Sequence, residues 1–163
     1  NKGARIAIIG GGISGITTAV TLKKNGFQPV IFEKSETLGG VWSTSYPGVH
    51  LQNIYTQYRL SDFDWSFKPD FHPTGEQIMR YWNEAVQHNE LDLRLGHEIV
   101  ELKEQSDGWT IRYKNQAGMQ EKAFPFVIIA TGQYSEGVGY GGDGGGAGRA
   151  GAACVSVCEL AHP

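Results

Sequence analysis

The chain has 163 residues, enough for one domain with a core of its own. It carries 14 Lys and Arg against 17 Asp and Glu, a net charge of −3, and no basic run, which argues against a nucleic-acid or anionic-membrane surface. No stretch approaches the roughly 18 apolar residues of a membrane span, no leader is visible after Asn1, and both cysteines lie in the last ten residues, so the expectation is a cytoplasmic protein without a disulfide scaffold.

Residues 5–9, RIAII, form a short apolar run that ends in three glycines, as a buried parallel strand would. Over residues 14–25, Ile16, Ala19, Val20 and Leu22 recur at helical spacing, and Asn25-Gly26 supplies the stop. Residues 29–33, PVIFE, read as a second buried strand. Together these make a βαβ unit, for which a right-handed crossover is expected.

Residues 37–73 lack periodicity but are rich in aromatics, which predicts an ordered, functional loop rather than disorder. Residues 74–89 predict a helix with Thr74 as its N-cap and Ile78, Tyr81, Trp82, Ala85 and Val86 on one stripe. A third parallel strand is expected over 91–95. Residues 97–104, 109–114 and 119–124, separated by hairpin turn signals, predict a three-stranded antiparallel meander. Residues 126–130, FVIIA, are a last buried strand before Thr131-Gly132. The remainder changes character: nine of the sixteen residues from 137 to 152 are Gly, a composition that reads as linker or disorder. The expected organisation is one α/β domain over 1–134, with an unassigned Gly-rich tail over 135–163.

The chemistry-bearing motif is Gly10-Gly11-Gly12-Ile13-Ser14-Gly15, a G-x-G-x-x-G set between a strand and a helix. Gly10 permits the turn, Gly12 lets backbone approach a pyrophosphate, and Gly15 lets the helix pack close. Ile13 and Ser14 open the helix, whose free N–H groups and dipole favour phosphate. Glu33 follows 23 residues after Gly10, where a carboxylate can accept hydrogen bonds from ribose hydroxyls and repels a 2′-phosphate. The motif therefore favours FAD or NAD over NADP. Lys34 and the pair in Leu38-Gly39-Gly40-Val41-Trp42 come next; such a paired Gly suits a loop lying against an extended FAD.

In order, GGGISG, Glu33-Lys34, LGGVW, YPG, LSDFDW and VIIATG resemble the flavin-containing and Baeyer–Villiger monooxygenases over roughly residues 5–134. The resemblance implies a Rossmann-like FAD-binding domain, the N-terminal part of an enzyme in which reduced FAD activates O₂. NADPH would be the reductant and would bind a second domain. The substrate would be a small molecule with a soft N or S nucleophile, or a ketone. It further implies that Gly40, Val41 and Trp42 lie against the cofactor, and that Gln52, with Asn53 second, is the amide near the flavin. Val100 would sit in a strand whose backbone contacts adenine, though it equally reads as a core valine. Ala130, Thr131 and Gly132 would flank the diphosphate.

The departures are informative. The F-x-G-x-x-x-H-S segment expected soon after ATG is missing, and so is a second glycine fingerprint framed by strand and helix; the tail has glycines without that frame. This chain alone is therefore expected to be inactive. Cys154, Cys158 and His162 supply at most three ligands in low-complexity sequence, so no metal is expected. His50 and His72 lie in the long loop without an evident partner. Another FAD oxidoreductase of amine oxidase or reductase type stays open, although no redox C-x₄-C follows Glu33, as does a non-catalytic FAD-binding fragment. Oligomeric state is left open.

Overall fold

The computed structural model describes residues 3–132 and 152–154. The first βαβ unit is β1 (Arg5–Ile9), α1 (Ile13–Lys24) and β2 (Gln28–Phe32). Two 3₁₀ turns, Gly40–Thr44 and Tyr55–Gln57, punctuate the aromatic segment before α2 (Gly75–His88). Then follow β3 (Asp92–Arg94), β4 (Glu98–Gln105), β5 (Gly108–Asn115), β6 (Gly118–Phe124), β7 (Phe126–Ile129) and β8 (Ala152–Cys154).

The main sheet has strand order β3-β2-β1-β7-β8, with all pairs parallel. Its central strands β1, β2 and β7 are largely apolar on both faces because both faces are covered. Alternation divides the side chains. Ile8, Ile31 and Ile128 face a cluster with Ile16, Ala19 and Val20 of α1 and Ile78, Tyr81 and Trp82 of α2. Ala7, Ile9, Val30, Phe32 and Val127 face the meander, meeting Leu102, Trp109, Ile111 and Phe124. This is an α/β architecture of three layers: helices, parallel sheet, antiparallel β4-β5-β6 sheet.

The structure adds two features to the sequence reading. Ala152–Cys154, inside the Gly-rich tail, pairs in parallel with β7 as the fifth strand. The β4–β5 register shifts between Ile99 and Glu101, so Val100 is the extra residue of a bulge and is 38% exposed, whereas Ile99 and Leu102 turn inward. The core-valine reading of Val100 therefore gives way to a backbone irregularity that period-two alternation does not reveal. Among the described residues no helix is long and apolar enough to cross a membrane.

Candidate dinucleotide-binding site

The site is built at the carboxyl ends of β1, β2 and β7, where a doubly wound sheet places its ligand crevice. Gly10 closes the turn after β1 with φ +114°, and a Cβ there would collide with the Ala130 carbonyl. A Cβ on Gly15 would collide with the Gly10 carbonyl, so the helix can lie on the turn only because that atom is absent. These two glycines answer to the fold. Gly12 is different: the nearest atom to a Cβ there is the Gly40 Cα, 3.6 Å away, an ordinary contact, and Gly12 has an extended backbone with φ −82°. The protein itself leaves room over Gly12.

The N-terminus of α1 is likewise left open. Its first intrahelical bond runs from Ile16 N to Gly12 O at 3.0 Å, no side chain caps it, and its first turn holds no acid. The contrast is α2, where Thr74 and Gln77 form a reciprocal capping box. Helix N-termini leave their first N–H groups without helical partners, and at α1 they remain available to an anion. The paired-glycine loop completes the cradle. Gly39 N donates to Gly11 O at 2.8 Å, and a Cβ on Gly40 would sit 3.2 Å from the Gly12 Cα. Gly39 has φ +109° and is covered by the Met79 thioether of α2.

Glu33 follows β2 and is 8% exposed. One carboxylate oxygen accepts from Gly11 N at 2.7 Å, the other from Ser35 N at 2.8 Å. Its backbone is fastened as well, through Glu33 N to Arg94 O and His97 N to Glu33 O, both 2.9 Å. The acid thus braces the glycine turn, and each oxygen keeps a further lone pair for a hydroxyl donor. An uncapped helix end, open space over Gly12 and a carboxylate at the next strand end are the donor set, clearance and acceptor a dinucleotide needs; FAD fits them.

The structure therefore brings Gly10, Gly12, Ile13, Ser14, Gly15, Glu33, Gly40, Ala130 and Thr131 to one end of the sheet. Ala130 N is held by Ile9 O at 2.8 Å, and Gly132 follows with φ +85°. Lys34 and Val41 are exposed beside it, and Trp42 packs against the helical-face core. Gln52 and Asn53 are exposed on the loop fastened to the start of α2 by Leu51 N to Pro73 O and by the His50–Thr74 bridge. The His50 ring contacts the His72 carbonyl at 3.0 Å. Val100 is on β4. Cys158 and His162 fall outside the described residues, and among those described no group of three His, Cys, Asp or Glu could hold a metal. Met79 is a member of the site that motif reading did not name, and Gly11 and Gly39, read there only within their motifs, take their contacts from segments distant in sequence.

The aromatic segment 37–73 is held against α2. Tyr81, fully buried, accepts from Leu60 N and donates to Phe63 O, both at 2.7 Å. Trp65 Nε1 donates to Tyr55 O at 3.0 Å, and Trp82 Nε1 to the Tyr58 hydroxyl at 3.3 Å. Burial pushes the Tyr58 phenol up to about 12, against the opposing pull of the Trp82 and Trp42 indoles.

Residues 7–141 match the family described as pyridine nucleotide-disulphide oxidoreductase. The chain is 29% identical over 160 residues to a probable flavin-containing monooxygenase 1 of Arabidopsis thaliana, covering 82% of this chain and 30% of that protein. It is 33% identical over 143 residues to a 4-hydroxybenzoate brominase (decarboxylating) of Pseudoalteromonas luteoviolacea, covering 80% and 26%. The fold superposes on a flavin-containing monooxygenase from Stenotrophomonas maltophilia with a TM-score of 0.71 at 19% identity, covering 81% of this chain and 39% of that one. The chain thus spans about a quarter to a third of the length of these two curated relatives.

Proposed function

Since the chain belongs to the pyridine nucleotide-disulphide oxidoreductase family and has flavin monooxygenases among its relatives, we propose that it is the FAD-binding portion of an NADPH-dependent flavin monooxygenase. The observation that carries the reading is the uncapped α1 N-terminus facing open space over Gly12, with Glu33 at the adjoining strand end. The substrate in this reading is a small molecule oxygenated at N or S, or a ketone.

FAD would be held with its diphosphate at the N–H groups of Ile13, Ser14 and Gly15 and its adenosine ribose at Glu33. When bound, the flavin supplies the redox and oxygen chemistry. The residues of the chain orient and enclose it. The α1 dipole offsets phosphate charge. Gly40 brings the second loop against Gly12 without a side chain in the way. Glu33 selects a free 2′-hydroxyl by accepting its proton in a hydrogen bond and by repelling a 2′-phosphate. Ala130 and Thr131 close the far side with little bulk. In this reading the loop carrying Gln52 and Asn53 flanks the flavin and offers an amide hydrogen bond, and the β4 bulge at Val100 frees backbone groups toward adenine. NADPH would use a site supplied outside residues 1–134.

The reading is tested by titrating the chain with FAD and recording the protein-bound flavin spectrum. Glu33→Ala is expected to weaken binding by about 1.5–3 kcal/mol, the scale of a hydrogen bond to a charged group. A chain that takes up no FAD, or a Glu33→Ala variant with unchanged affinity, would overturn it.

A further inference from the structure

We propose that Trp42, Tyr58, Trp82, Tyr81 and Trp65 form a one-electron relay that carries oxidising equivalents from the cofactor-side loop to a surface cleft. The proposal rests on the flavin reading above and assigns a function which that reading leaves open.

The rings make one continuous path. Centroids are 6.3 Å apart from Trp42 to Tyr58, 6.0 Å from Tyr58 to Trp82, 5.2 Å from Trp82 to Tyr81 and 4.5 Å from Tyr81 to Trp65. The entry end is Trp42, two residues beyond Gly40, which itself touches Gly12 of the cradle. At the exit end, half-buried Trp65 lines an open cleft of about 510 Å³, within the roughly 300–1,000 Å³ that small-molecule sites occupy. Arg59, Asp64 and Lys68 also line that cleft, with Arg59 paired to Asp64 at 2.8 Å, so its charged side chains carry a net charge of one positive unit. Cations there suit a small anionic reductant.

Composition separates this path from ordinary packing. Three of the four tryptophans of the chain are on it; the fourth, Trp109, belongs to the other core cluster. Leu, Ile or Phe would fill the same space, but indole and phenol are the side chains that release an electron most readily. Proton bookkeeping assigns roles along the path. Tyr81 donates its hydroxyl to the Phe63 carbonyl, and the Tyr58 oxygen accepts from the Trp82 indole. A carbonyl is no base, and burial already holds the Tyr58 proton tightly. The tryptophans, which lose an electron without having to lose a proton, carry the charge, and the tyrosine rings bridge them.

Electrons balance as follows. With oxidised FAD bound and excited by light as the one-electron acceptor, Trp42 would give up one electron and be left as an indole radical cation. Electrons move inward along the path until the deficit resides on Trp65. An external anionic donor such as ascorbate supplies one electron and leaves as its own one-electron oxidised form. No bond in the protein is made or broken.

The test uses the FAD-loaded chain, with bound flavin verified by its absorption before a laser flash and the indole radical followed by transient absorption. The expected result is an indole radical that ascorbate removes in a concentration-dependent way. Trp65→Phe and Trp82→Phe, which keep a ring in place, are each expected to lose the ascorbate-reactive component while retaining bound FAD; thermal melting checks that they fold. Trp109→Phe is expected to behave as the unaltered chain. Two results overturn the relay: no indole radical in the FAD-loaded chain, or an ascorbate-reactive radical that persists in either folded variant. Absence of bound flavin before the flash overturns the flavin reading and the relay with it, and is recognised separately by the missing spectrum.

Discussion

At the scale of single residues, the three glycines of the fingerprint separate into two classes by what a Cβ would meet. Gly10 and Gly15 are required by the protein, because a Cβ at either meets backbone, whereas Gly12 is free of such contacts. Gly12→Val is therefore expected to leave the melting temperature nearly unchanged and to abolish measurable FAD uptake, since its side chain would fill the cofactor's space. Gly10→Val is expected to destabilise the fold itself, through about 1–3 kcal/mol of left-handed backbone strain plus a backbone collision. Thermal melting and FAD titration of both variants check this pair of outcomes. Tyr58 supplies a second residue-scale prediction. Its folded-state pKa of about 12 exceeds the ordinary value of 10 because burial disfavours the phenolate. Stability from this group is complete below pH 10 and is lost as pH rises through 12. The loss is about 3 kcal/mol across that window, at roughly 1.4 kcal/mol per pH unit. Denaturant melts across the window are expected to show this slope and Tyr58→Phe to flatten it; equal slopes would contradict it.

At the scale of elements, the two helices start differently for a physical reason. α2 satisfies its first amides internally through Thr74 and Gln77, so Thr74→Ala is expected to cost about 1 kcal/mol in chemical denaturation. The same change at the α1 start has no counterpart, because no side chain caps it. The helix that stabilises the domain is capped; the helix proposed to bind phosphate is not. The aromatic segment between them has little regular structure, yet Trp42, Leu51, Tyr58, Phe63 and Trp65 pack on the helical-face core. Limited proteolysis is therefore expected to spare residues 37–73 even before FAD is added, and rapid cleavage there would show the packing to be weak. The sequence reading identified the N-cap of α2, the two parallel strands flanking the first helix, the later parallel strands β3 and β7, and the meander, because each depends on neighbours in the chain. It missed the bulge at Val100: Ile99, Val100 and Leu102 are all apolar, and only packing against Tyr113 and Trp109 decides which two turn inward.

At the scale of the whole molecule, the parallel sheet is a platform that presents three strand ends to one ligand. The chain spans 30% of the Arabidopsis relative, and among the described residues one glycine fingerprint is framed by strand and helix. The proposed consequence is that the chain loaded with FAD does not couple NADPH oxidation to oxygenation. Holding hydride donor and flavin together is worth about 7–11 kcal/mol of barrier, and the fingerprint that could bind a nucleotide is committed by Glu33 against a 2′-phosphate. NADPH consumption followed beside product from a thioether and a tertiary amine is expected to yield no stoichiometric sulfoxide or N-oxide. Saturable, coupled turnover would show that the chain, or an assembly of it, completes the site.

The sequence by itself determined the α/β class, the order of β1 to β7 with the two helices, and the glycine turn, since strand runs, helical periodicity and glycine spacing are local signals. Only the tertiary structure decided which atoms each glycine meets, because Gly10 lies against Ala130 and Gly12 beside Gly40, residues far away in the chain. It also decided that Glu33 braces Gly11 with the same carboxylate that we propose for the ribose. The aromatic path from Trp42 to Trp65 belongs to the same category: its members are scattered over three segments, and tertiary packing brings their rings into successive contact.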